Sequence, residues 1–181
     1  MANERSITSD WIGVLNGLDD VQRMAPLLTR LWIPPAVVIM RGVLGAGKTT
    51  LVQAVGRAWG LKETIKSPTF DLVHIFTLPT FTLYHADLYR LQSEDELDVV
   101  DLPAPGTPNT IVMAEWGDAL VDRYPDHFVC TLSLGETEDQ RILSISAHGM
   151  VRKHLSEWSS WARNHYDMGV VASKKETTGG L

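Results

Sequence analysis

The chain has 181 residues and a formal net charge of −6 at pH 7. That length suits one domain with a sizeable core, and the acidic balance argues against strong nucleic-acid binding by this chain alone, which needs a basic patch. A single cysteine, Cys130, excludes an intrachain disulfide, and no apolar run approaches the roughly 20 residues of a membrane span.

In chain order, the first six residues are polar and lack the apolar core of a secretory signal, so a cytoplasmic protein is expected. Trp11 to Leu15 reads as a first strand. From about Asp19 to Trp32 the residues Val21, Met24, Ala25, Leu28, Leu31 and Trp32 fall on one helical stripe. Asp19 or Asp20 is expected to cap that helix, and Pro34-Pro35 to end it. Ala36 to Met40 is a short apolar run of the kind found in buried parallel strands. A helix follows to about Trp59, with Leu51, Val52, Val55 and Trp59 at helical spacing and Gly60 as the stop.

After a polar turn at Ser67 to Phe70, the stretches Asp71 to Phe76 and Phe81 to Ala86 read as a hairpin around Leu78-Pro79-Thr80. Ser93 to Val100 is expected to be a short acidic helix, with Ser93 and Glu96 as a capping box. Ile111 to Ala114 reads as a buried strand and Trp116 to Val121 as a short helix. His127 to Leu134 and Arg141 to Ala147 form a second hairpin. Cys130 lies on an apolar face of its strand with Phe128, Leu132 and Leu134, which predicts a buried thiol. Met150 to about His165 is a last amphipathic helix, with Val151, Leu155, Trp158 and Trp161 or Ala162 inward. The sum is an α/β fold: a single three-layer domain over residues 1–166 with a mixed parallel and antiparallel sheet, then a polar tail, 167–181, that reads as disordered.

Residues 42–49, Gly42-Val43-Leu44-Gly45-Ala46-Gly47-Lys48-Thr49, form a complete G-x-x-x-x-G-K-S/T phosphate-binding loop between a strand and a helix. Its glycines let successive backbone N–H groups of Gly45, Ala46, Gly47, Lys48, Thr49 and Thr50 face one anion. Lys48 reaches the β- and γ-phosphates, and the Thr49 hydroxyl ligates Mg²⁺.

Hydrolysis also needs an acid near the metal and a group to place water. Glu115 ends an apolar strand, the usual geometry of a metal-site acid; an exposed strand-end glutamate is the bland alternative. Asp87 lies in Leu83-Tyr84-His85-Ala86-Asp87-Leu88-Tyr89-Arg90, where alternation puts His85, Asp87 and Tyr89 on one face. Its partner is the metal or attacking water, or else Arg90 or a backbone N–H. Ser67 and Thr69 offer two hydroxyls in one turn, fit either to sense a γ-phosphate or simply to connect helix and strand. The six histidines show no metal-ligand spacing, so no zinc is expected.

The phosphate loop, Ser67-Pro68-Thr69-Phe70, His85-Ala86-Asp87-Leu88-Tyr89-Arg90-Leu91 and Glu115-Trp116 occur in this order. That series resembles the bacterial TsaE (YjeE) family over roughly residues 20–150. The resemblance implies a small ATPase, weak alone and stimulated by partners, in the formation of N6-threonylcarbamoyladenosine beside the tRNA anticodon. It implies docking on TsaD and TsaB, with ATP and Mg²⁺ as cofactors, tRNA met only through the complex, and no role on DNA or membranes. Lys48 and Thr49 take the phosphate and Mg²⁺ roles, Glu115 the metal-site acid, Asp87 the second acid, and Ser67 and Thr69 the switch-like loop. The chain departs from the family pattern at Gly117, usually proline, at Leu18 to Gln22, where a short Glu-Thr element usually frames the adenine side, and near Val99 to Asp101, which lacks a usual glycine.

Three other readings compete. A small-molecule P-loop kinase would need a lid with clustered arginines, and those beyond Arg90 are isolated in the sequence. A non-catalytic nucleotide-gated binding module would need only the loop. A GTPase would need Asn-Lys-x-Asp, which the chain lacks.

Overall fold

The computed structural model describes residues 10–66, 68, 72–91, 96–97 and 100–165. Seven strands form one sheet: β1 (Trp11–Asn16), β2 (Ala36–Arg41), β3 (Val73–Thr77), β4 (Thr82–Asp87), β5 (Thr110–Glu115), β6 (His127–Leu134) and β7 (Gln140–His148). Three helices accompany them: α1 (Leu18–Leu31), α2 (Lys48–Ala58) and α3 (Val151–His165). The spatial order is β1-β7-β6-β2-β5-β4-β3. The central strands β6, β2, β5 and β4 run parallel, while β1, β7 and β3 pair antiparallel, so the sheet is mixed as expected.

The centre of the sheet is hydrophobic on both faces. Along β2 the residues Ala36 to Met40 are all buried, which explains a continuous apolar run in place of alternation. One face carries all three helices over a core that includes Met24, Leu28, Val38, Leu51, Phe128 and Trp158. The other face packs Val37, Ile39, Ala114 and Val129 under Leu88, Leu102, Leu120 and Tyr124, which lie on connecting segments and a short 3-10 helix, Gly117–Leu120. Each fully buried leucine or isoleucine contributes about 1.5–3 kcal/mol.

Two local expectations change. Neither Asp19 nor Asp20 caps α1. The cap is Gly17, at φ 95°, with no side-chain cap bond. Asp20 instead turns back to accept the Asn16 backbone N–H at 2.7 Å and pairs with Arg23. Leu134, at the far end of its strand, is exposed, whereas Cys130 is fully buried and free, and burial pushes its thiol pKa up. Most of the expected acidic helix, including Ser93, and the whole tail after residue 166 lie outside the described residues; within that segment Leu97 and Val100 are buried. No helix among the described residues is long and apolar enough to cross a membrane.

The parallel arrangement sets the position of any site. β2, β5 and β4 all end on the same edge of the sheet, at Arg41, Glu115 and Asp87, with Met40 and Asp87 both in register with Glu115. In open α/β sheets this carboxyl edge is where ligands bind.

At the opposite edge, His127 begins β6. It is 2% exposed, its Nδ1 lies 2.6 Å from the Tyr124 carbonyl, and its Nε2 has no hydrogen-bond partner among the described residues. Burial holds its pKa below 6.5; the Tyr124 carbonyl and Asp126 oppose that, while His148 and Arg41 reinforce it. As pH falls below 6.5, the unfolded chain therefore takes up a proton before the folded one does. Stability from this residue is full above that pH and is lost as pH falls through the folded value. We expect the melting temperature to drop between pH 7 and 5 and to drop less in His127→Gln, as read by circular dichroism; equal slopes would contradict the assignment.

Candidate functional site

β2 delivers the chain into the loop at Gly42. This glycine adopts φ 141°, and a Cβ there would meet the Leu132 carbonyl oxygen at 2.4 Å. Gly45 and Gly47 also have positive φ, at 77° and 100°, but with open space where a side chain would go. The loop therefore needs glycine for two reasons, close backbone packing at its base and left-handed backbone at its tip. Gly47 caps α2, and no acidic residue occupies the first turn of that helix. The N–H groups and positive dipole end at the start of this helix border the cleft.

Lys48, only 4% exposed, folds back over the loop. Its Nζ donates to the carbonyls of Gly42 at 2.8 Å and Val43 at 3.1 Å, and stands 4.2 Å from the Trp116 ring centroid. Burial lowers its pKa, while the negative fields of Glu115 and Asp87 push it back up. Trp116 holds a left-handed backbone, φ 58°, and its N–H bonds the Met40 carbonyl at 3.1 Å, so β5 turns sharply across the end of β2. Tyr89 packs on Trp116 at 4.9 Å between centroids.

Glu115 is 4% exposed. Its Oε1 accepts a hydrogen bond from the Thr49 hydroxyl at 2.7 Å, and the His85 Nε2 lies 3.0 Å from the same oxygen. Asp87 lies across the strand pair from Glu115 and accepts the Tyr89 backbone N–H at 3.2 Å. Lys48, Thr49, Asp87, Arg90, Glu115 and Trp116 all border one open cleft of about 480 Å³. A second cleft, about 180 Å³, lies on the other side of the same loop. It shares Gly45, Gly47 and Thr50 with the first and is bordered by Leu18, Val21 and Arg141. Arg141 also fixes the loop directly, its Nε donating to the Ala46 carbonyl at 3.0 Å.

The structure thus brings together Lys48, Thr49, Thr50, Asp87 and Glu115 with the glycines of the loop. Ser67 and Thr69 lie outside the described residues. Three participants escaped the sequence reading: His85 as a partner of Glu115, Trp116 as a cover for Lys48, and Arg141 as a prop for the loop. The alternation of β4 had already placed His85 and Asp87 on one face, but only the β4–β5 register reveals the glutamate that His85 meets. Gly117, the departure after Glu115-Trp116, packs where a Cβ would meet that of Ala114 at 2.9 Å.

The family model described as "Threonylcarbamoyl adenosine biosynthesis protein TsaE" matches residues 15–143. A Treponema pallidum protein named tRNA threonylcarbamoyladenosine biosynthesis protein TsaE is 32% identical over 121 residues, covering 67% of this chain and 88% of that protein. A Rickettsia bellii protein of the same name is 30% identical over 135 residues, 74% of this chain and 92% of its own length. A Nostoc protein of that name reaches 47% identity over 64 residues, covering 35% of this chain and 40% of that protein. Among solved structures, Bacillus subtilis YdiB shares the fold with a TM-score of 0.65 at 21% identity, covering 84% of this chain and 95% of that one.

The two kinds of glycine make separable expectations. Gly45→Ala should lower stability by about 1–2 kcal/mol, the cost of a left-handed non-glycine residue. Gly42→Ala adds a clash with the β6 backbone and should cost more, in chemical denaturation of both variants. The reverse order would show that Gly42 is not packed against Leu132.

Proposed function

The chain belongs to the TsaE family, and from that premise we propose that it is a Mg²⁺-dependent ATPase of tRNA threonylcarbamoyladenosine biosynthesis. The observation that carries this reading is the bond from Thr49 on α2 to Glu115 at the end of β5, beside Lys48 and the positive-φ glycines.

The residues fit the groups this reading requires. A triphosphate needs convergent N–H donors and a cation, which the tip of the loop, the start of α2 and Lys48 offer. Mg²⁺ prefers hard oxygen donors and usually takes one or two from protein, the rest from phosphates and water. Thr49 and Glu115 are such donors, and among the described residues no group of three or more His, Cys, Asp or Glu side chains is placed to enclose a metal by itself. When bound, the metal would neutralise charge on the phosphate oxygens.

The chain's own residues then divide the work. Lys48 exchanges the Gly42 and Val43 carbonyls for phosphate oxygens. Glu115 holds the Thr49 hydroxyl so that its lone pairs face the cleft. Asp87, at the neighbouring strand end, orients the water whose oxygen bonds the γ-phosphorus as the bond to the β–γ bridging oxygen breaks, releasing ADP and phosphate. The second cleft suits a base: Leu18 and Val21 give an apolar wall, and Arg141 a polar edge. Leu18 thus stands where the family's Glu-Thr element usually frames adenine.

TsaD and TsaB-like proteins are the proposed partners, with tRNA met only through them, in the cytoplasm. The exposed Val43, Leu44 and Tyr89 beside the cleft give a partner apolar surface at the site it would complete. On this reading the isolated chain hydrolyses ATP slowly, because a partner is needed to cover the open cleft.

Lys48→Ala should weaken ATP binding on the order of 100-fold in a fluorescent-nucleotide titration while keeping the fold. Wild-type affinity in that variant would contradict the assignment. Glu115→Ala should keep metal-free ATP binding within a few-fold and lose Mg²⁺-dependent hydrolysis by about 100-fold or more; equal loss of both points to a structural role. A pull-down with TsaD and TsaB, with and without ATP, followed by phosphate-release assay should give a complex with faster hydrolysis than the free chain. Phosphorylation of an added metabolite would favour a kinase instead.

A further inference from the structure

His85 is fully buried in β4, two residues before Asp87, and its Nε2 meets Glu115 Oε1 at 3.0 Å. Its other ring nitrogen, Nδ1, is also buried and has no hydrogen-bond partner among the described residues. A histidine kept only for packing has no need of this arrangement, because an apolar side chain of similar size would leave no orphaned nitrogen. Among the described residues the ring's hydrogen-bond partner is the acid of the candidate site. A carboxylate oxygen offers acceptor sites, so the proton belongs on Nε2, and Nδ1 is left as the unfilled acceptor.

The geometry points to His85 as the residue that positions Glu115 for a divalent cation. Two donors converge on Oε1, the Thr49 hydroxyl at 2.7 Å and the His85 ring. They come from different elements, α2 and β4, and fix the carboxylate from both sides of β5. With two donors on Oε1, Oε2 is assigned to the cation. His85 reaches this point because the parallel register sets it beside Met113 and sets Asp87 beside Glu115. One strand therefore supplies both the second acid and the brace for the first. Partners of this kind outside the ligand set tune metal affinity and activity by about 10–100-fold.

The inference rests on the nucleotide reading above, and its test separates the two. Glutamine places an amide nitrogen near the position of Nε2, whereas asparagine reaches only the position of Nδ1. His85→Gln and His85→Asn thus have similar chemistry and differ in reach. We expect His85→Gln to keep the Mn²⁺ concentration that half-saturates the ATP complex, read by electron paramagnetic resonance, within about threefold of wild type. His85→Asn should raise it about tenfold or more, with ATP affinity in EDTA unchanged in both. Equal Mn²⁺ dependence in the two variants, or parallel loss of metal-free ATP affinity, would overturn the proposal and make His85 a packing residue. A second measurement needs no nucleotide. Nitrogen-15 spectra of the imidazoles should show His85 as the Nε2–H tautomer, with a signal that moves in Glu115→Gln; the Nδ1–H tautomer would overturn the proposal. If the wild type binds no ATP, the nucleotide reading falls, and the tautomer measurement still decides the His85–Glu115 bond.

Discussion

One carboxylate oxygen joins three separate parts of this fold. Glu115 Oε1 receives Thr49 from the helix that follows the glycine loop and His85 from the neighbouring strand, and its own backbone pairs with both β2 and β4. Thr49 is 66 residues away along the chain. A hydrogen bond to a carboxylate is stronger than one between neutral groups, and the low exposure of Glu115 leaves little water to compete with it. The bond therefore sets where α2 begins relative to the ends of the parallel strands. Everything proposed for the cleft depends on that offset. A shift of α2 by one residue would rotate its first turn by about 100° and carry the Thr49 hydroxyl away from β5.

Lys48 is held in a matching way at the other side of the loop. Its ammonium is satisfied by two carbonyls of the loop itself and by the Trp116 ring. These contacts keep a nearly buried cation from being orphaned. They also keep the loop closed on itself in the form described. On the proposed reading, a phosphate competes with those carbonyls for the lysine and gains the helix N–H groups as well. Nucleotide binding would then free Trp116 from Lys48, and Trp116 directly follows Glu115 in the chain. Lys48 and Glu115 would thus be connected through Trp116, whose ring lies against the lysine and whose backbone directly follows the glutamate.

Much of this was legible in the sequence because it rests on local rules. The glycine spacing dictated the loop, the apolar run Ala36 to Met40 dictated a doubly covered strand, and Leu51, Val52 and Val55 dictated the buried side of α2. Glu115 and Asp87 could be selected as candidates because each sits where an apolar strand ends. What stayed hidden depends on register between segments distant in sequence. The meeting of His85 with Glu115 requires β4 to lie beside β5 in parallel, and the support of Ala46 by Arg141 requires β7 to run back past the loop. The capping of α1 failed for a different reason. Gly17 satisfies the backbone turn without a side chain, which leaves Asp20 for the chain before it. Local propensity offered Asp19 and Asp20, and the structure uses neither: Gly17 is the cap and Asp20 bonds the end of β1.

The two clefts on either side of the glycine loop share its backbone, and this gives the loop a second consequence. Gly45, Gly47 and Thr50 form part of the wall of each. A base held in the smaller cleft would press on the same peptide units that present N–H groups to phosphate in the larger one. Arg141 supports that wall, its Nε donating to the Ala46 carbonyl. On the proposed reading, the sugar links a base and a phosphate tail that sit on opposite sides of one partition. A ligand with the wrong reach between its ends could fill either cleft but not both. Selection between nucleotides and free polyphosphate would then come from the thickness of the loop as well as from contacts to the base.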